Sequence, residues 1–131
     1  MTRMRLLALT ALLACHVALA QTEITFWYAW GGSEGQALQA LVDEYNASQT
    51  DVVVRGSFVP IGDGERILAS LAGGTPADLV TVWDWMVVPL GYGGALADLS
   101  PALTEAGVGE DDYLPGLWQY GAYSGKKYGL P

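Results

Sequence analysis

Catalytic and metal-binding side chains are almost absent from this chain of 131 residues. It has one cysteine and one histidine, Cys15 and His16, side by side near the start. Beyond residue 20 there is neither. No Ser-His or Cys-His pair can be assembled there, nor any thiolate and imidazole metal cluster. No disulfide can form, so the fold must rest on a packed core. Basic residues are scarce as well: six Lys and Arg stand against fourteen Asp and Glu. An acidic chain lacks the positive footprint that nucleic-acid binding needs. After residue 20, no apolar run is long enough to cross a bilayer. Gly31-Gly32-Ser33-Glu34-Gly35 is glycine-rich but has neither the dinucleotide-binding spacing nor a Walker lysine. No catalytic residue, metal ligand or cofactor is therefore expected. A glycosidase carboxylate pair fits the composition, but no Asp or Glu stands in such a motif.

The first residues follow the layout of a secretory leader. Arg3 and Arg5 form a basic start, Leu6 to Ala14 is apolar apart from Thr10, and Ala18-Leu19-Ala20 fits a small-x-small cleavage site before Gln21. Residues 1–20 are read as a signal peptide, and the mature product as secreted or periplasmic. Its net charge falls to about −10, because Arg3 and Arg5 leave with the leader. Leu12-Leu13-Ala14-Cys15 also resembles a lipobox, so tethering to the outer face of the cell membrane through Cys15 is the alternative.

Residues 21–131 alternate strand and helix signals. Residues 23–30 are rich in strand formers and end at Gly31-Gly32. Ser33 and Gln36 have capping-box spacing, and Leu38, Leu41, Val42 and Tyr45 recur at helical spacing as core positions. A second strand is expected over 52–59 and a loop over 60–64. Ile67, Leu68 and Leu71 mark a second helix, stopped by Gly73-Gly74, and a third strand is expected over 78–83. A short helix then starts from Trp85, capped by Asp84 and strained by Pro89. Another short helix follows within 95–103, then an acidic connection over 107–112. Two short strands flank a Ser124-Gly125 turn. This order predicts βαβ units on a parallel sheet of order 2-1-3.

In such a sheet, ligands bind beyond the carboxyl ends of strands one and three, where the strand order reverses. The segments that meet there are Trp27 to Glu34 and Trp83 to Trp85. They hold four of the five tryptophans, together with Glu34 and Asp84. Flat rings cover the C–H face of a sugar, and carboxylates accept hydrogen bonds from its hydroxyls. The same set suits an organic cation. Trp27, inside its strand, is assigned to the core. Trp30 and Trp85 are assigned to a cleft, and Trp83 fits either.

The order of motifs resembles a known family. Ile-Thr-Phe-Trp-Tyr-Ala-Trp-Gly-Gly opens it, and Ala-Gly-Gly-Thr-Pro-Ala-Asp-Leu-Val follows the second helix. Gly-Gly-Ala-Leu-Ala-Asp-Leu-Ser-Pro and Tyr-Ser-Gly-Lys-Lys-Tyr-Gly-Leu-Pro complete it. Together they resemble the family 1 extracellular solute-binding proteins, the maltose-binding-protein-like group. The resemblance implies a type II periplasmic-binding-protein-like α/β fold of two lobes that close on solute. Residues 21–131 would be an incomplete N-terminal lobe, from a truncated product or an incomplete gene model. It implies a non-enzymatic, monomeric importer component that hands its solute, a mono- or oligosaccharide, to ABC permease subunits. The rivals are a polyamine or other cationic solute, and an exported carbohydrate-active enzyme. The solute contacts it implies are Trp30, Gly31, Gly32, Ser33 and Glu34, then Trp83, Asp84 and Trp85, and finally Trp118.

Cleavage after Ala20 is the expected processing. Mass spectrometry of the exported product should give Gln21 as its first residue; an acylated Cys15 there would establish the lipoprotein instead.

Overall fold

A computed structural model describes residues 21–60 and 64–131. The leader assigned to residues 1–20, with its cleavage site and Cys15, lies outside the described residues, and so does most of the loop expected over 60–64. Strand β1 (Thr22–Tyr28) is the centre of a three-stranded parallel sheet. β2 (Val52–Phe58) pairs with it along its whole length, from Thr22 opposite Val52 to Tyr28 opposite Phe58. β3 (Leu79–Val80) pairs with it on the other side, opposite Phe26 and Trp27. The order is β2-β1-β3, as the alternating pattern predicts. Helix α1 (Gly32–Ser48) joins β1 to β2, and α2 (Glu65–Ala72) lies between β2 and β3. Then come α3 (Asp84–Tyr92), α4 (Ser100–Ala106) and a hairpin of β4 (Ala122–Tyr123) and β5 (Lys126–Lys127). Ser124 and Gly125 form its turn with φ of 50° and 76°, the positive pair that matches strand twist in a two-residue hairpin.

The apolar contacts fall into two clusters. Phe26 and Tyr28 of β1 bury against Val42 of α1, with Leu38 and Val54 packed alongside. Ile67 of α2 buries against Met86 and Leu90 of α3, with Ala29, Val80 and Val82 packed around them. Of the four α1 residues expected in the core, Val42 is buried and Leu38 half-buried. Leu41 and Tyr45 are 61% and 46% exposed. The helical period is right, but the face that meets the sheet is narrower than the sequence stripe. Leu68, taken as a marker of the α2 face, is exposed while Ile67 is buried.

Local details differ from the sequence reading in three places. The N-cap of α1 is Gly31, and no side chain caps it, so Ser33 and Gln36 lie inside the helix and form no capping box. The third strand is two residues long instead of six. α3 begins at Asp84 with Trp83 as its N-cap, although the Asp84 carboxylate accepts a bond from the Trp85 N–H at 2.8 Å. The helix runs through Pro89, which forgoes one donor. The Gly93 N–H still donates to the Pro89 carbonyl at 3.0 Å.

Side chains do what the short β3 ladder cannot. Asp78, just before it, accepts bonds from the Thr25 backbone N–H and the Thr25 hydroxyl, each at 2.8 Å. Thr81, just after it, accepts the Ala29 N–H at 2.9 Å through its hydroxyl and donates its own N–H to Trp27 at 2.9 Å. The outer edge of β2 is closed in a similar way. The Asn46 amide bonds both the N–H and the carbonyl of Val54, at 2.8 and 2.9 Å. Gln49 does the same for Val52, at 2.8 and 2.7 Å.

The two Thr25 bonds hold the Asp78 carboxyl below its ordinary pKa. A depressed carboxylate pKa adds stability above the unfolded value, and that stability is lost as pH falls through the folded one. Asp78→Ala is therefore expected to melt lower than wild type near about pH 7, with the gap shrinking near about pH 3. Thermal melts at both values check this; an equal gap at both would show that the carboxylate charge is not what holds β3.

Candidate functional site

Beyond the carboxyl ends of β1 and β3, two loops come together. Trp30 leaves β1, and Trp83 follows β3. They line one small hollow with Ala29, Thr81 and Val82. Continuous with this corner, a groove of about 620 Å³ runs along β3. Trp27, Trp30 and Asp84 line it at the loop end, with Thr81 between them, and Tyr120 and Tyr128 line it from the hairpin region. Trp30 is 36% exposed and Trp83 49%, so both indoles offer free surface.

Backbone packing sets the position of Trp30. Gly35, in the first turn of α1, is buried and donates its N–H to the Gly31 carbonyl at 3.2 Å. A Cβ there would lie 2.5 Å from the Trp30 carbonyl oxygen, so only glycine lets the helix come this close to the loop. On the other side, the ring of Phe58, at the end of β2, sits 3.5 Å from where a Gly31 Cβ would be. On the hairpin side, Tyr128 presses its ring against α3 at Gly91, where a Cβ would come within 2.4 Å of it.

The structure brings together part of the expected site. Trp30, Trp83 and Asp84 converge at the switch point. Trp85 is 59% exposed, on α3, and touches neither hollow nor groove. Gly31, Gly32, Ser33 and Glu34 are all exposed at the start of α1 and line neither. Trp118 also lies outside the groove wall. Its ring packs against Tyr113 at 5.3 Å between centroids, and the Lys127 ammonium sits 4.3 Å from its centre. Trp27, assigned to the core, is half-buried and forms part of the groove. Tyr120, Tyr128 and Thr81 line the groove and were not singled out from the sequence.

Residues 29–131 match the family described as bacterial extracellular solute-binding protein. The chain belongs to this family. Over 110 residues it is 33% identical to the sn-glycerol-3-phosphate-binding periplasmic protein UgpB of Agrobacterium fabrum, covering 79% of this chain and 25% of that protein. The solved structure of CpMnBP1 with mannotriose bound superposes with a TM-score of 0.75 at 30% identity, covering 85% of this chain and 28% of that one. The cyclic alpha-maltosyl-1,6-maltose binding protein from Arthrobacter globiformis gives a TM-score of 0.68 at 32% identity, covering 82% and 27%. The chain thus spans about a quarter of the length of these relatives. Its fold is the type II periplasmic-binding-protein-like α/β fold, here a partial domain with parallel sheet order 2-1-3. Among the described residues, no helix is long and apolar enough to cross a membrane.

The close approach at Gly35 makes a specific demand on the Trp30 loop. Gly35→Ala should push Trp30 out of place and cost about 1–3 kcal/mol of stability, the usual range for overpacking. Denaturant melts measure the loss. An unchanged midpoint would mean that the loop yields freely and that Gly35 does not fix Trp30.

Proposed function

We propose that the protein is the extracytoplasmic solute-binding component of an ABC importer and that its cargo is an oligosaccharide. It binds and delivers that cargo without chemistry. Residues 1–20 direct its export, and residues 21–131 belong to the N-terminal lobe and supply one wall of the solute cleft. The opposite wall belongs to the further length that the relatives have. The observation that carries this reading is the convergence of two part-exposed indoles, Trp30 and Trp83, with the Asp84 carboxylate at the strand switch point. The rings stack on sugar C–H faces, and the carboxylate accepts hydroxyl hydrogen bonds. Glu34 and Trp85, exposed outside the groove and next to this corner along the chain, are assigned to the outer rim of the same solute. Mannotriose and cyclic alpha-maltosyl-1,6-maltose, the solutes of two relatives of known structure, are the models for the cargo class. A glycerol phosphate, the ligand in the name of the Agrobacterium relative, fits less well. Only four basic residues lie beyond the leader, and none of them lines the groove.

A single wall gives weak binding, because half of the contacts and most of the desolvation come from the other side. Millimolar mannotriose should shift the indole N–H signals of Trp30 and Trp83 in nuclear magnetic resonance spectra of the protein. Spermidine and glycerol 3-phosphate should leave them in place. Trp30→Ala should abolish measurable binding, since loss of an aromatic anchor costs about thirty-fold in affinity. Shifts with spermidine alone would replace the sugar by a cation. Micromolar binding of mannotriose would show that the chain already holds a complete site.

A further inference from the structure

Lys127 is 4% exposed, and it is the one charged side chain among the buried described residues. Among the described residues no carboxylate lies within ion-pair distance of it; the ion pair of the hairpin is Lys126 with Asp98, at 3.9 Å. Its ammonium donates to the backbone carbonyls of Trp118 and Tyr120, the second at 2.6 Å, and its third direction faces the Trp118 ring at 4.3 Å. An ammonium has three donors, and here two carbonyls and one π face take all three. Burial lowers its pKa, with the Glu110 charge acting the other way. A charge kept inside under those conditions calls for a reason beyond packing.

The reason lies in what the two carbonyls belong to. They bracket the turn that ends in Tyr120, and Tyr120 lines the groove with Trp30, Thr81 and Asp84. The Tyr128 N–H on the Gly121 carbonyl, at 2.8 Å, ties the far end of that turn, and its own carbonyls at Trp118 and Tyr120 are held by Lys127. Gly116 on one side and Gly121 on the other both have positive φ, 85° and 76°. The backbone of Lys127 is itself fixed on both sides. Its N–H donates to the Ser100 hydroxyl at 3.0 Å, and its carbonyl accepts the Leu99 N–H at 2.7 Å. We propose that Lys127 is a positioning residue for solute recognition: through the carbonyls of Trp118 and Tyr120 it holds the Tyr120 ring at the hairpin side of the groove that Trp30 and Asp84 line at its loop end, making Tyr120 a further solute contact. Trp118 then serves as the lid of the ammonium cage, with its ring committed to Lys127 and Tyr113, and Tyr120 presents the aromatic surface to the cleft.

This inference rests on the oligosaccharide reading, and two separate measurements tell them apart. In the protein labelled with 3-fluorotyrosine, the fluorine signal of Tyr120, assigned by its loss in Tyr120→Phe, reports the ring's surroundings without solute. Lys127→Met should shift or broaden it, and Lys127→Arg should restore it in large part. Mannotriose titrations followed at the Trp30 indole signal form the second arm. Lys127→Met and Tyr120→Ala should each weaken binding at least five-fold, the double variant should be no weaker than either single one, and Lys127→Arg should recover much of the loss. An unchanged fluorine signal in Lys127→Met, or full affinity in Tyr120→Ala, would overturn the proposal. If Lys127→Met gives no cooperative melt, Lys127→Gln takes its place under the same criteria. Wild-type protein that ignores mannotriose would remove the sugar reading, and the fluorine arm would still decide whether Lys127 places Tyr120.

Discussion

The attachment of a two-residue strand to the centre of the sheet is the constraint on which the site depends. β3 has too few backbone bonds to fix its own register. Asp78 on Thr25 before it, and Thr81 with Ala29 and Trp27 after it, clamp both ends onto β1. Because the clamp reaches past the last residue of β3, it also fixes where the loop beyond it begins. Trp83 and Asp84 are therefore carried to the corner where Trp30 emerges. If the clamp were lost, the two loops would no longer share one hollow, whatever the state of the rest of the core.

The rest of this wall is fixed by close packing of backbone. Gly35 lets α1 touch the carbonyl of Trp30, and Gly91 lets α3 take the ring of Tyr128. Both are helix positions where a methyl group has no room. The aromatic residues around the groove are thus placed by small residues opposite them, and an indole or phenol can be exposed yet rigid. Rigid aromatic surface loses little entropy on binding, which suits stacking against a sugar.

Much of this was legible in the sequence. The alternation of apolar runs with glycine and proline breaks gave the parallel order 2-1-3, and the switch-point rule then pointed to the loops of Trp30 and Trp83. What was not legible had specific physical causes. The Val-Trp run after Leu79 looks like strand, but Thr81 takes the ladder's place with its hydroxyl, and the chain turns out of the sheet. Leu41 and Tyr45 keep the helical period, but a three-stranded sheet is too narrow to cover them. Ser33 has the composition of a cap, but Gly31 already occupies that position. Trp118 looked like a platform because nothing in the sequence shows that a lysine nine residues on folds back over its ring. Tyr120 was overlooked for the same reason: its place depends on a contact between segments that no local pattern records.

The edges of the sheet have unequal fates. On the β2 side, Asn46 and Gln49 cover the outward N–H and carbonyl groups of Val54 and Val52 with their amides. The stretch of edge occupied in this way offers no template to another chain. At β3, among the described residues, no strand and no such amide takes the outward side. A strand joining the sheet at β3 would build the floor of the groove outward from it. Growth of the sheet and shaping of the pocket are one process, so a sequence change that unblocked the β2 edge would add a route to aggregation without adding anything to the site.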